Sequence, residues 1–194
     1  DGYIPRDHLE KYVFGKIGDL AIEDSRDGKA DALLAKRMEV LNRIVTAEAL
    51  EVRADLRNEV VWTIAQDELR KMTAFNCPGD KIACVVNCCN VIFSVLNLKR
   101  GADDSSRPGA DDFLPVLIYV ALQARVPNLH TNCEYIQKYH SPAALMSKAG
   151  YCLVNLQSAV EFILTLDASV ISMDSTEFEE KLAAAENEWD LAHP

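Results

Sequence analysis

The chain has 194 residues, 49% hydrophobic and 26% charged, enough apolar material for one sizeable domain or one domain with a small helical annex. Its formal net charge of −10 argues against a nucleic-acid partner, because phosphate backbones call for a positive footprint. Seven of those excess negative charges fall in residues 167–194, so the acidity is concentrated at one end.

Taken in order, the chain reads as helices separated by short breaks. Pro5 opens the first, with Leu9, Tyr12, Val13, Ile17 and Leu20 at helical spacing. A polar loop around Gly28 leads to a second helix over 30–44, striped by Leu33, Leu34, Met38, Leu41 and Ile44. A third spans 55–72 and carries Val60, Val61, Ile64 and Leu69. Pro78 opens a fourth, strongly apolar helix over 78–98. Residues 99–109 are the most loop-like stretch of the chain.

Next comes GADDFLPVLIYVALQA, residues 109–124, in which Asp111 and Asp112 precede an almost unbroken apolar run. Proline belongs in the first turn of a helix, so Pro115 forbids a start far upstream of Asp111. Both aspartates are therefore expected at the helix N-terminus, where unpaired amides and the helix dipole favour carboxylates. Apolar side chains cover every face, which predicts a central, buried helix, and one too short for a bilayer span. Pro127 and Asn128 end it. Short helices over 129–139 and 142–146 follow, the second with Ser141 as N-cap. Gly150 precedes an apolar helix over 151–166. Asp174 and Glu177 form a capping-box-like start to a last, acidic amphipathic helix, read as a solvated face. No run alternates with period two and no fixed-period repeat occurs, so the predicted fold class is all-α.

Six cysteines, no preceding leader and no Asn-x-Ser/Thr sequon point to a reduced, intracellular setting with buried thiols. The four histidines lie in separate elements, and the cysteines lack the spacing of a zinc site, so no metal and no cofactor are expected. Neither GxxxxGK[ST] nor GxGxxG is present, nor HExxH or GxSxG, and nothing marks a hydrolase or transferase. On its own, an aspartate at a helix start is an N-cap and an apolar helix is core packing.

The order of motifs carries more. DKIACVVNCCNVIFSVL (80–96), ADDFLPVLIYVALQA (110–124), LHTNCEYI (129–136), AGYCLVNLQSAVEFI (149–163) and the tripeptide at 166–168 together resemble the vacuolar-protein-sorting-nine (Vps-nine) domain. The likeness covers residues 80–180, and residues 3–72 more weakly resemble the helical bundle that precedes this domain. It implies an N-terminal bundle (1–50) packed against a layered helical domain (51–182), with the end of an acidic helix beyond (183–194). It also implies a guanine-nucleotide exchange factor for Rab-five-subgroup GTPases, cytoplasmic and peripherally recruited to endosomes. No covalent chemistry, nucleic acid or membrane span is implied, and the chain is expected to be monomeric.

By the same resemblance Asp111 matches an acidic finger that reaches the GTPase nucleotide site. Pro115 matches the proline beside the finger and Tyr151 a tyrosine facing the switch regions. Asn155 follows at the family spacing, and Leu114, Val154 and Ala159 are expected on the same contact surface. The chain departs from the family pattern after the central helix, where Pro127 stands alone, and at 147–150, read as a short loop. It departs again at Val154, which lacks a hydroxyl. These departures leave open a non-catalytic reading, a GTPase effector or endosomal scaffold.

Overall fold

Residues 5–57, 59–99 and 110–194 are described by the computed structural model, and every regular element among them is helical. Nine α-helices run in chain order: α1 (Arg6–Asp24), α2 (Gly28–Leu41), α3 (Glu59–Arg70), α4 (Pro78–Leu98), α5 (Ala110–Ala124), α6 (Leu129–Tyr139), α7 (Pro142–Leu145), α8 (Lys148–Thr165) and α9 (Ser175–Ala192). Apart from Lys99, the expected loop over 99–109 lies outside the described residues.

Prolines set several of the starts. Pro5 precedes α1, and Pro78 and Pro142 open α4 and α7, where a missing N–H costs nothing. Caps set others. The Asp27 side chain accepts from the Ala30 amide, and the Asp174 side chain accepts from the Glu177 amide at 3.0 Å. Ser141 precedes α7 as expected, but its side chain makes no capping bond. The α8 helix begins a turn earlier than predicted, capped by Ser147, so 147–150 is a helix start rather than a loop. Gly150 lies inside that first turn because nothing larger fits: a Cβ there would stand 1.6 Å from the Leu145 carbonyl oxygen.

The centre is built from α4, α5 and α8, which pack on one another, with α3 against α4 and α5. Val116, Leu117, Val120 and Leu122 of α5 are fully buried, each worth roughly 1.5–3 kcal/mol of transfer free energy as an upper figure. Trp62 is buried too, its indole N–H donating to the Leu56 carbonyl at 2.6 Å. The α4 helix is long and apolar enough to cross a bilayer, yet it packs against α3, α5, α6 and α8 as a core helix.

Two stripes depart from the sequence reading, though Leu69 of α3 is buried as read. In α3, Trp62, Ala65, Gln66 and Leu69 turn inward while Val60 and Ile64 are exposed. The element predicted over 55–72 is also broken into a 3₁₀ turn (Ala54–Leu56), α3 and a second 3₁₀ turn (Lys71–Ala74). In α1, Leu9, Tyr12, Val13, Ile17 and Leu20 are 37–74% exposed, and the helix docks by its other side. There Phe14 sits edge-on to Tyr135 and Tyr139, Ala21 is buried, and Gly18 lies tight against Asn76. The Glu10 carboxylate accepts from the Gly79 amide at 2.9 Å and pairs with His140 at 3.1 Å, serving the N-terminus of α4 from outside.

Helix ends are closed by side chains from other helices. Arg70 of α3 donates to the carbonyls of Ala124 (3.0 Å) and Gln123 (3.2 Å) at the end of α5. Arg37 of α2 does the same for α8, donating to Ile163 (3.1 Å) and Leu166. Asn128, in left-handed backbone geometry, gives α6 no cap, and Asp31 of α2 supplies one by accepting from the Thr131 amide at 3.1 Å. The α9 helix lies on α2 through Phe178, Leu182, Ala185 and Trp189, with the pairs Lys36–Asp190 (2.6 Å) and Arg43–Glu188 (3.4 Å). One side of the last helix is therefore packed, not solvated all round. Leu34, Met38 and Leu41 of α2 belong to the same continuous core as α5 and α8.

Candidate functional site

The start of α5 carries a carboxylate with nothing to do inside the fold. The Asp111 residue is exposed, and its side chain has no hydrogen-bond or ion-pair partner among the described residues. It stands at the N-terminal, positive end of a 15-residue helix. Pro115 lies further in than the first turn. Lacking an N–H, it withholds the donor that Asp111's own carbonyl would receive in a regular helix, which loosens this end of α5.

Asp112 behaves differently. Its Oδ2 lies 3.9 Å from Nη1 of Arg53, and the same guanidinium grips both oxygens of Asp55 at 2.8 Å. This bidentate bond to Arg53 holds the Asp55 carboxyl below the usual carboxylate range. Of the two adjacent aspartates, one is drawn toward a cation on the segment between α2 and α3 and the other is exposed without a partner.

Behind the aspartates three aromatic rings tie three helices together. Phe93 of α4 and Phe113 of α5 stack with centroids 4.5 Å apart, and Tyr151 of α8 lies 6.0 Å from Phe113 and 6.3 Å from Phe93. Lys148 sits 5.3 Å over Phe93 and is held there by a bond to Asn90. Phe113 is two residues from Asp111, so the stack brings the acidic end of α5 to the start of α8. Tyr151 remains 45% exposed and Val154, one turn on, 57% exposed. Leu114, Pro115 and Asn155 are half-buried, and Asn155 donates one amide hydrogen to the Tyr151 carbonyl at 2.8 Å. Ala159 corrects the sequence reading: it is fully buried and offers no surface to a partner.

Phe93 and Arg53 were not singled out from the sequence. Phe93 lies in an apolar run where any residue passes as core, and Arg53 meets Asp112 from 59 positions away. The assembled surface is a mostly apolar, aromatic-backed face with one unpaired negative charge at its edge. Among the described residues no nucleophile–base pair lies on it.

The model of the vacuolar sorting protein 9 (VPS9) domain family matches residues 62–168. Among curated proteins, vacuolar protein sorting-associated protein 9A of Arabidopsis thaliana is 39% identical over 180 residues, 92% of this chain and 35% of the relative. The rice protein of the same name is 39% identical over 178 residues, 91% of this chain and 37% of the relative. The human Rab5 GDP/GTP exchange factor is 33% identical over 181 residues, 89% of this chain and 35% of the relative. The chain spans about a third of the length of these relatives.

Proposed function

Because this chain belongs to the VPS9 domain family, we propose that it is a guanine-nucleotide exchange factor, accelerating GDP release from a Rab5-subgroup GTPase in endosomal and vacuolar sorting. The single observation that carries the mechanism is the unpaired, exposed carboxylate of Asp111 at the rim of the α5–α8 face. Bound GDP is held by magnesium and by charge-assisted hydrogen bonds to phosphate, notably from a lysine of the phosphate loop. A carboxylate brought within about 4 Å of that lysine, at an effective dielectric near 20, gains about 4 kcal/mol, and it repels the phosphates it displaces. Tyr151 and Val154, with Leu114 and Pro115, receive the switch surface of the GTPase, and the chain thereby binds the empty GTPase more tightly than the loaded one.

Arg53 sharpens this arrangement. By drawing Asp112 it leaves a single outward charge at the tip of α5. In this reading residues 51–182 carry the exchange activity, residues 1–50 buttress it, and residues 183–194 extend the packed acidic helix. The protein acts from the cytoplasmic side, recruited peripherally to endosomes.

Release of a fluorescent GDP analogue from a Rab5-type GTPase tests the proposal. The parent chain accelerates release, and Asp111→Ala slows it at least 100-fold with an unchanged helical spectrum and melting temperature. An equal rate in that variant removes the mechanism. Pull-downs against GDP-bound, GTP-bound and nucleotide-free GTPase distinguish an exchange factor, which holds the empty form most tightly, from an effector, which prefers GTP.

A further inference from the structure

The α1 helix presents its apolar side to solvent. Leu9, Val13 and Leu20 lie along the middle of this side, with Ile17 on one edge, Tyr12 on the other and the exposed Lys16 and Glu23 between Tyr12 and Leu9, while Glu10 and Lys11 reach across to the start of α4. Lys11 pairs with Asp80 at 3.0 Å, and Glu10 serves the start of α4. The docked side is thus fully accounted for, and the outward stripe is what remains to be covered. Five exposed apolar side chains within residues 9–20, about 16 Å of this 19-residue helix, are more than scattered surface hydrophobics and mark an interaction face.

The charges along α1 identify what fits it. When a second α1 is laid antiparallel, with residues summing to about 29 opposite each other, Leu9 meets Leu20 of the second copy, and Val13 meets its Lys16 and Ile17. On one edge Arg6 falls beside Asp24 of the second copy. On the other, Tyr12 falls beside its Lys16, a cation over an aromatic ring. Symmetry makes each of these pairs twice. Both partners have room for it. Arg6 and Lys16 have no bonding partner among the described residues, and Lys138 and Tyr139 both bond Oδ2 of Asp24, leaving Oδ1 open. A parallel arrangement sets Arg6 against Arg6 and Asp24 against Asp24, which repel.

We infer that the outward face of α1 binds a second copy of this chain, forming an antiparallel, two-fold symmetric dimer. This departs from the monomer expected from sequence, and it does not depend on the exchange reading. One helix stripe buries an area at the low end for specific interfaces, so the dimer is weak and its population rises with concentration through the micromolar range.

Sedimentation velocity on the intact chain over that range tests the inference. The parent converts from monomer to dimer, Leu20→Asp stays monomeric at every concentration with an unchanged helical spectrum, and Arg6→Glu weakens association about tenfold. Mixing Leu9→Cys with Leu20→Cys chains gives an intermolecular disulfide between unlike copies and none between like ones. A parent that remains monomeric throughout, a Leu20→Asp chain that dimerises like the parent, or Leu9→Cys chains that cross-link to themselves each overturn it.

Discussion

Lys81 is a buried lysine with no carboxylate in ion-pair reach among the described residues. Its ammonium donates to the Met72 carbonyl at 3.0 Å and to Oδ1 of Asn132 at 2.7 Å, and burial pushes its pKa down to about 8. The unfolded chain holds that proton up to about pH 10.4, so between about pH 8 and 10.4 unfolding takes up a proton and stability rises with pH. Below pH 8 both states are protonated and the burial cost is present in full. Urea denaturation of the parent and of Lys81→Met across pH 7 to 10 reads this directly: the stability difference shifts toward the parent by on the order of 1–3 kcal/mol as pH rises, and a pH-independent difference contradicts it. At this scale the sequence was legible where a residue sits inside an ordered set of motifs. Asp111 was singled out that way, and it is exposed where Asp112 is half-buried. Lys81, Arg53 and Asp31 were not, because each acts on a residue far along the chain, and no local pattern records such a pairing.

Single arginines secure the ends of the two core helices that carry the candidate site. Arg37 takes the last carbonyls of α8, and partial burial lowers its pKa from the ordinary arginine value without neutralising it. Bonds from a charged donor to two orphan carbonyls are worth about 2 kcal/mol together, so Arg37→Ala lowers stability by about that much. Hydrogen exchange locates the effect: amides in the last turn of α8 exchange at least tenfold faster in Arg37→Ala while those of α5 do not, and a uniform change across the molecule contradicts the capping role. Helix limits were read well wherever chemistry punctuates the chain, as at Pro78 and at Pro127–Asn128. The direction of a face was not. Periodicity says that Leu9, Tyr12 and Val13 share one side of α1, and that Val60 and Ile64 share one side of α3. It does not say which side the neighbours occupy. For α3 that was settled by the volume of Trp62, and for α1 by Phe14 and the salt links beside it.

For the molecule as a whole, α2 joins parts that lie far apart in sequence. Leu34, Met38 and Leu41 fill the core shared by α5 and α8, Asp31 caps α6, Arg37 caps α8, and Glu39 pairs with Arg125 just after α5 at 2.9 Å. Losing three buried side chains at roughly 2 kcal/mol each, along with two caps, consumes most of the 5–15 kcal/mol that a domain commonly has. A chain shortened to begin at residue 51 therefore loses its cooperative melting transition by calorimetry, and a sharp transition near that of the parent contradicts the role given to α2. The two tryptophans turn this arrangement into something visible. Trp62 is sealed in the core, whereas Trp189 lies near the far end of α9, its ring 4.2 Å from that of His193 and 4.8 Å from the Lys36 ammonium. The native emission spectrum is thus the sum of a blue, shielded component and a red, quenchable one. Peeling the last helix from α2 changes the second alone, while collapse of the core changes the first, so the chain tells the two events apart without a label.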